Sequence, residues 1–140
     1  IFQSSGECEM ITKTFIVDDF VVVGNKKFSL NLNVYRNAHY QTLNKAKIIF
    51  KNQLLAEYPE LLKIKAQRAE IGYEIERNDN RKFDTMNIIS IVDKFFLDAL
   101  VEFECIPDDN YSYVSHKAPK VSDYVSKMPN KKIHIFCNFF

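Results

Sequence analysis

The chain has 140 residues, of which 46% are hydrophobic, so it can bury a real core but has room for only one ordinary domain. Its 19 Lys and Arg residues against 18 Asp and Glu give a net charge of +1, which excludes a general positive field and leaves polyanion binding to a local basic patch. The cysteines, Cys8, Cys105 and Cys137, form no CxxC pair and predict reduced intracellular thiols instead of a disulfide frame or a zinc site.

Residues 1–10 show no usable periodicity, and we expect them to be a leader or a mobile arm, with the folded domain spanning residues 11–140. No apolar run approaches the roughly 20 residues that are needed to cross a membrane. The N-terminal residues also lack the cationic and apolar regions of a secretory signal. These patterns predict a cytoplasmic protein without a membrane partner.

Hydrophobic periodicity along the chain predicts an α+β fold. Alternating or β-branched segments predict strands at residues 12–23 (one bent strand or a short hairpin), 69–77, 111–115 and 132–139. Apolar residues at helical spacing predict helices at residues 41–55 and 85–103. The resulting order β-α-β-α-β-β predicts a single domain with a mixed β-sheet and two main helices.

The segment FSLNLNVYRNAHY at residues 28–40 has no continuous apolar face. Its composition fits a loop that contacts phosphates, in which Arg36 is a fork-shaped donor and Asn37 and His39 add polar groups. It fits equally well a polar surface loop that caps the next helix, and both interpretations stay open. Lys45 on that helix fits a solvated face more readily than a DNA contact.

The segment RKFDTMNIISIVDKFFLDALVEFECIPDDN at residues 81–110 has the clearest organisation. Its apolar positions predict a helix with one face in a core: Ile88, Val92, Phe95, Phe96, Ala99 and Phe103. A polar stripe of the opposite face carries Asn87, Ser90, Lys94 and Asp98. Asp84 precedes this helix, and Pro107 places Asp108 and Asp109 on the loop after it.

Carboxylates are the chemistry that remains once other motifs are excluded. The chain has no GxSxG, GxxxxGK[ST] or GxGxxG motif, and its histidines lack metal-ligand spacing. Asp84 and Asp109 would meet if the strand after the loop folds back beside the helix, and such hard oxygen ligands suit Mg²⁺ or Mn²⁺ and phosphodiester hydrolysis. On spacing alone, a helix cap, a solvated Lys94 and a turn at the Asp doublet are the favoured alternative.

The same residues carry a resemblance to a known family. The pattern DxxN, then VDKFFLDALVE, then IPDDNY resembles the RusA-type Holliday junction resolvases, especially the branch carried by phages. That family has an acidic turn at the helix start, a lysine four residues before Asp-Ala-Leu, and an Asp-Asp doublet further on. The match covers residues 84–110 well and extends more weakly to SLNLNVYRNAHYQTLNKAK upstream.

The resemblance implies catalytic roles for three residues. Asp84 matches the first acidic position, Lys94 the catalytic lysine, and Asp109 the metal-binding member of the doublet. With Asp108 and Asn87 as further ligands, these residues imply a Mg²⁺ site, with Mn²⁺ as a possible substitute. The family also acts as a homodimer on branched DNA, which suits paired cuts in two symmetry-related strands.

Two departures from the family pattern bear on that site. Met86 stands where better-known members have a second aspartate, and the gap from Asn87 to Lys94 is longer by one helical turn, which leaves the helix faces in place. The missing ligand would be replaced by Asp93, Asp108 or Asn87, or the metal would bind less tightly.

We therefore expect a metal-dependent, structure-selective endodeoxyribonuclease that resolves four-way DNA junctions in the cytoplasm, that of the host cell if the protein is phage-encoded. The residues expected to position DNA are Arg36, Asn37, His39, Lys45, Arg81 and Lys82. The alternatives are a catalytically weak or inactive junction-binding accessory protein of recombination, and a small interaction module without a nucleic-acid role.

Overall fold

The structure is a computed structural model and describes residues 10–140. The arm expected at residues 1–10 therefore lies, except for Met10, outside the described residues. The strands of the described chain are β1 (Ile11–Asp18), β2 (Phe20–Val23), β3 (Lys26–Ser29), β4 (Ala69–Arg77), β5 (Val114–His116), β6 (Lys120–Val125) and β7 (Lys132–Phe139). The helices are α1 (Leu32–Asn37), α2 (Tyr40–Glu57) and α3 (Thr85–Glu102), and a short 3-10 helix (Pro59–Lys63) follows α2.

One mixed sheet forms the centre of the fold, with strand order β1-β7-β4-β5. β7 is antiparallel to both β1 and β4. β5 and β6 are both parallel to β4, with β5 beside its first residues and β6 beside its last. This sheet and the two long helices α2 and α3 confirm the predicted single domain of α+β class.

The core lies between the sheet and the two long helices. On β4, Ile71, Tyr73 and Ile75 are buried while the glutamates Glu70, Glu74 and Glu76 are half-buried, as expected for a strand with one covered face. Phe15 of β1 packs against Phe96 of α3 with ring centroids 5.4 Å apart. On its other side α3 packs against α2, where further aromatic rings meet. α3 is therefore buried on two sides, which leaves only a narrow stripe of it facing solvent.

Three elements differ from the sequence prediction. Residues 12–23 form β1 and β2, but β2 pairs with β3 in a separate hairpin, whose turn contains Gly24 at φ 64°. Part of the segment expected to be a loop forms α1, whose N-cap Asn31 accepts a hydrogen bond from Val34 N at 2.9 Å. β6 was not predicted, because its side chains are exposed except at Ser122 and so give no alternating pattern.

Candidate functional site

The polar stripe predicted on α3 faces solvent at Asn87, Lys94 and Asp98, whereas the hydroxyl of Ser90 is buried. Lys94 and Asp98 are exposed, and Asn87 and Ser90 are half-buried, whereas the apolar residues of the helix are buried. The helical period places these four side chains within one arc of the surface. The prediction of a polar stripe on α3 is therefore confirmed.

A cleft of about 440 Å³ opens at the C-terminal half of α3, between α2 and the loop that follows α3. Its floor contains Phe95 and Ala99. Its charged side chains are Lys47, Lys51, Asp98, Glu102, Asp108 and Asp109. The cleft thus collects carboxylates from the end of the stripe and from the Asp doublet, together with two lysines of α2.

The α2 lysines pair with the acidic residues of α3. Lys47 Nζ lies 3.7 Å from Asp98 Oδ2, and Lys51 pairs with Glu102. In the part of the chain that the structure describes, neither Asp108 nor Asp109 forms an ion pair. The Asp doublet is therefore the carboxylate group of the cleft whose charge no Lys or Arg neutralises.

The doublet is held in a hydrogen-bonded turn. Asp108 Oδ1 accepts the backbone N–H of Asp109 at 2.7 Å, and Asp108 Oδ2 accepts the side-chain amide of Asn110 at 3.0 Å. The hydrogen bond from the Asp109 N–H, with smaller help from Asn110, holds the pKa of Asp108 below its usual range. Asp108 is therefore ionised at neutral pH, and the carboxylate of the exposed Asp109 projects beside it.

Asp84 lies far from this cleft. It is the N-cap of α3, and its Oδ1 accepts the backbone N–H of Met86 at 3.1 Å. α3 has 18 residues and a helix rises about 1.5 Å per residue, so Asp84 and Asp98 are roughly 20 Å apart along the helix axis. Asn87 lies in the first turn, near Asp84. The structure therefore does not bring Asp84 and Asn87 together with Asp108 and Asp109, and one ion cannot bridge the two pairs within a chain.

The register of β5 explains this separation. The chain does fold back along α3 after the loop, as expected, but Val114 enters the sheet opposite Ala69, at the end of β4 nearest the C-terminus of α3. The residue that reaches the middle of α3 is His116, whose Nε2 lies 2.9 Å from Asp93 Oδ1. Asp109 precedes that point and stays beside the last turns of the helix.

The donor set in the cleft fits Mg²⁺ only in part. Within residues 10–140, no group of three or more His, Cys, Asp or Glu side chains is arranged to hold a metal ion. Mg²⁺ in phosphoryl-transfer sites often uses one or two carboxylates, completed by waters and substrate phosphates. Asp108 and Asp109 provide that minimum, whereas Asp93 is occupied by other partners.

The segment before α2 approaches α3 at Lys94. Lys94 Nζ lies 6.0 Å from the ring centroid of Tyr35 in α1. Arg36 and Asn37 are exposed on the same short helix. His39 is the N-cap of α2, where its Nδ1 accepts the N–H of Gln41 at 3.2 Å. It therefore performs the capping role that the sequence left open, while its exposed ring remains available to a ligand.

The remaining predicted DNA contacts lie elsewhere on the surface. Lys45 is exposed on α2, and Lys82 is exposed just before α3. The Arg81 side chain is 87% exposed, and its Nε and Nη2 donate to Asp79 Oδ2 at 3.1 and 3.0 Å. The predicted basic residues thus form two groups, one on α1 and α2 and one at the start of α3.

Sequence reasoning missed the contribution of α2 to the cleft. Lys47 and Lys51 are not among the residues that the sequence singles out, and Asp98 is singled out only as a member of the stripe. The spacing of four residues between Lys94 and Asp98 places both on one helical face and was the available signal. The pairing with α2 had no such signal, because it depends on how two helices dock.

No protein-family model matches this chain, and no curated protein matches it. Within residues 10–140, no helix combines the length and the apolar character that crossing a bilayer requires.

Proposed function

We propose that the protein is a Mg²⁺-dependent, structure-selective endodeoxyribonuclease that resolves four-way DNA junctions. The observation that carries this proposal is the contact between Lys94 and Tyr35, at 6.0 Å from ammonium to ring centroid. This contact joins the two separate segments that resemble the RusA-type resolvases, the segment around α1 and the segment of α3. Residues that the family uses for chemistry and for DNA contact would then lie on one surface.

In this proposal the phosphodiester is attacked beside α3. Asp108 and Asp109 would hold Mg²⁺, which when bound supplies a nucleophilic water at neutral pH and neutralises phosphate charge. Lys94 is exposed four residues before Asp98 on the same stripe, so its ammonium can face the scissile phosphate and offset the charge that develops there. Asp84 serves as the cap that fixes the start of the helix.

Basic and polar residues on either side of α3 would position the DNA. Arg36, Asn37, His39 and Lys45 would contact backbone phosphates on one side, and Arg81 with Lys82 on the other. Two symmetric cuts at a junction need two active sites, so we propose a homodimer with one site in each subunit. For a phage-encoded protein the place of action would be the host cytoplasm.

The test uses a synthetic immobile four-way junction with each strand labelled in turn. The protein is incubated with the junction and with a linear duplex of the same length, in Mg²⁺, in Mn²⁺ and in excess chelator. Paired symmetric nicks in the junction alone, dependent on the metal, support the proposal. A stable complex without nicks would instead indicate the junction-binding accessory protein. If the protein neither binds nor nicks the junction, a role on branched DNA is overturned.

A further inference from the structure

We infer that Lys27 and Lys131, each seated on a phenylalanine ring, form a phosphate-binding surface for DNA next to the start of α3. This inference rests on the proposed function, because it names a contact surface for the same substrate. We call these two residues, with their rings Phe20 and Phe83, the Lys27/Lys131 surface. None of its members was a candidate in the sequence.

The two ammonium groups are held in place by aromatic rings. Lys131 Nζ lies 5.0 Å from the ring centroid of Phe83, the residue before Asp84. Lys27 Nζ lies 4.2 Å from the ring centroid of Phe20. A lysine that already has few rotamers loses less entropy when it binds a phosphate. These side chains are therefore better suited to a persistent contact than freely mobile surface lysines.

The backbone that carries Lys131 is anchored as well. Asn130 is buried, and its Nδ2 donates to Asp18 Oδ1 at 3.0 Å and to the carbonyl of Lys131 at 2.7 Å. The N–H of Ser126 donates to the carbonyl of Arg77 at 2.8 Å. The loop at residues 126–131 is thus fixed to the β1–β2 junction and to the end of β4.

Both lysines lie at the β1–β2 junction. Phe20, the ring under Lys27, follows Asp19, and Asn130, the residue before Lys131, donates to Asp19 Oδ1 at 3.4 Å. Burial raises the pKa of Asp19 there, and the positive charges of Lys27 and Lys131 oppose that rise. The pKa of Asp79 is lowered mainly by hydrogen bonds from Arg81, and the positive charge of Lys131 lowers it further. The new surface is therefore continuous with the basic residues already placed at the start of α3.

Two of the nearby acidic residues are paired with other cations, whereas Asp19 faces Lys27 and Lys131 and offsets part of their charge. Asp18 pairs with Lys132, and Asp79 pairs with Arg81. Among the described residues, the lysines near this end that form no ion pair include Lys26, Lys27, Lys82, Lys127 and Lys131, and they outnumber the one carboxylate, Asp19, that faces Lys27 and Lys131. With a net charge of only +1 on the whole chain, such a local excess is where a polyanion would be attracted.

The test is the salt dependence of DNA binding by the variant Lys27→Ala/Lys131→Ala. Its control, Lys63→Ala/Arg68→Ala, removes the same charge at the opposite end of β4 and also removes a cation from an aromatic ring, since Arg68 Cζ lies 4.2 Å from the centroid of Phe140. Binding of the junction and of the linear duplex is measured by fluorescence anisotropy from about 50 to about 300 mM salt.

We expect the slope of log Kd against log salt to fall by about two units in the Lys27/Lys131 variant, one for each phosphate contact, and to stay unchanged in the control. Replacing both lysines by arginine should restore the slope, which separates a charge effect from a loss of folding. Equal slopes in variant and control would overturn the inference, even if the protein nicks junctions.

The outcomes also separate this inference from the proposed function. If the slope falls as expected but no nicks form, the surface stands and the nuclease proposal fails. If the unaltered protein binds no DNA at all, both fail. If heparin binding depends on the two lysines while DNA binding does not, the surface recognises another polyanion and the inference is overturned.

Discussion

The Tyr73 hydroxyl donates a hydrogen bond to Asp93 Oδ1 at 2.5 Å, which joins the centre of the sheet to the middle of α3. The same carboxylate also lies within hydrogen-bonding distance of His116 Nε2 on β5. Burial, followed by the negative charge of Asp93, raises the pKa of Tyr73 well above its usual range. One aspartate thus connects β4, α3 and β5.

Removing this hydroxyl should destabilise the protein. Tyr73→Phe leaves the half-buried Asp93 carboxylate short of a donor, which typically costs on the order of 1–3 kcal/mol. Urea unfolding followed by circular dichroism measures the change. The matched control is Tyr124→Phe, which removes an exposed hydroxyl bonded to Glu76 and should cost much less. Equal losses in the two variants would contradict the role given to Tyr73.

The cleft predicts which aspartate cleavage requires. Asp109→Asn removes one charge from the proposed metal ligands and should abolish junction nicking while junction binding is kept or strengthened, because a charge that repels phosphates has gone. Asp84→Asn keeps a good N-cap and should leave nicking intact, because Asp84 lies outside the cleft. Loss of nicking in folded Asp84→Asn would restore Asp84 to the catalytic site.

Lys94→Ala should lower the rate of nicking at saturating DNA by about 10²-fold or more, as expected when one positioned electrostatic group is lost. Because Lys94 is exposed, its replacement should change stability by less than about 0.5 kcal/mol. Single-turnover nicking measures the rate, and Lys63→Ala serves as an exposed-lysine control. Full activity of Lys94→Ala would remove this residue from the site.

The buried thiols should be unreactive in the folded protein. Burial raises the pKa of Cys105 to about 11, and its Sγ donates to the carbonyl of Leu61 at 3.1 Å. Burial also raises the pKa of Cys137 far above its usual range. In a Cys8→Ser background, a thiol reagent at pH about 8 should label neither residue until denaturant is added. Rapid labelling without denaturant would show that this part of the core opens.

Protonation of Glu76 in acid should lower the free energy of unfolding of the protein. Hydrogen bonding by His134 is the main cause that lowers the pKa of Glu76 below its usual value of 4.5, with further help from Tyr124. The carboxylate is therefore stabilising above pH 4.5, and that stabilisation is lost as the pH falls through the lowered folded-state pKa. The difference in free energy of unfolding between the unaltered protein and Glu76→Gln should shrink as the pH falls through the lowered folded-state pKa of Glu76. A constant difference down to pH about 3 would contradict this linkage.

How far the sequence predicts this fold depends on burial. β4, β7 and α3 were predicted with nearly their observed bounds, because the buried residues of each recur at a regular spacing. α1 buries no residue and β6 buries only Ser122, so neither element leaves a periodic pattern. Hydrophobic periodicity arises from contact with the core, so elements that lack this contact cannot be predicted from it.

The candidate site was predictable to the same extent. The stripe with Lys94 and Asp98 follows from helical geometry within one segment. The position of Asp109 beside the end of α3 does not follow from local geometry. It depends on where β5 joins β4, which is set by a long-range hydrogen bond from Ala69 N to the carbonyl of Tyr113 at 2.8 Å. A shift of that register would be needed to carry the doublet toward Asp84, and no feature of the local sequence specifies it.

The position of β7 has a consequence for biosynthesis. β7 is translated after β1 and β4, yet it lies between them, with Ile11 and Ala69 both paired to Phe139. While β7 is still inside the ribosome, β1 has no partner in the main sheet, and β4 lacks a neighbour along its whole length on one side. Closing contacts between residues so distant in sequence is slow. The nascent chain must therefore keep the edges of β1 and β4 from aggregating until β7 has emerged and paired with both of them.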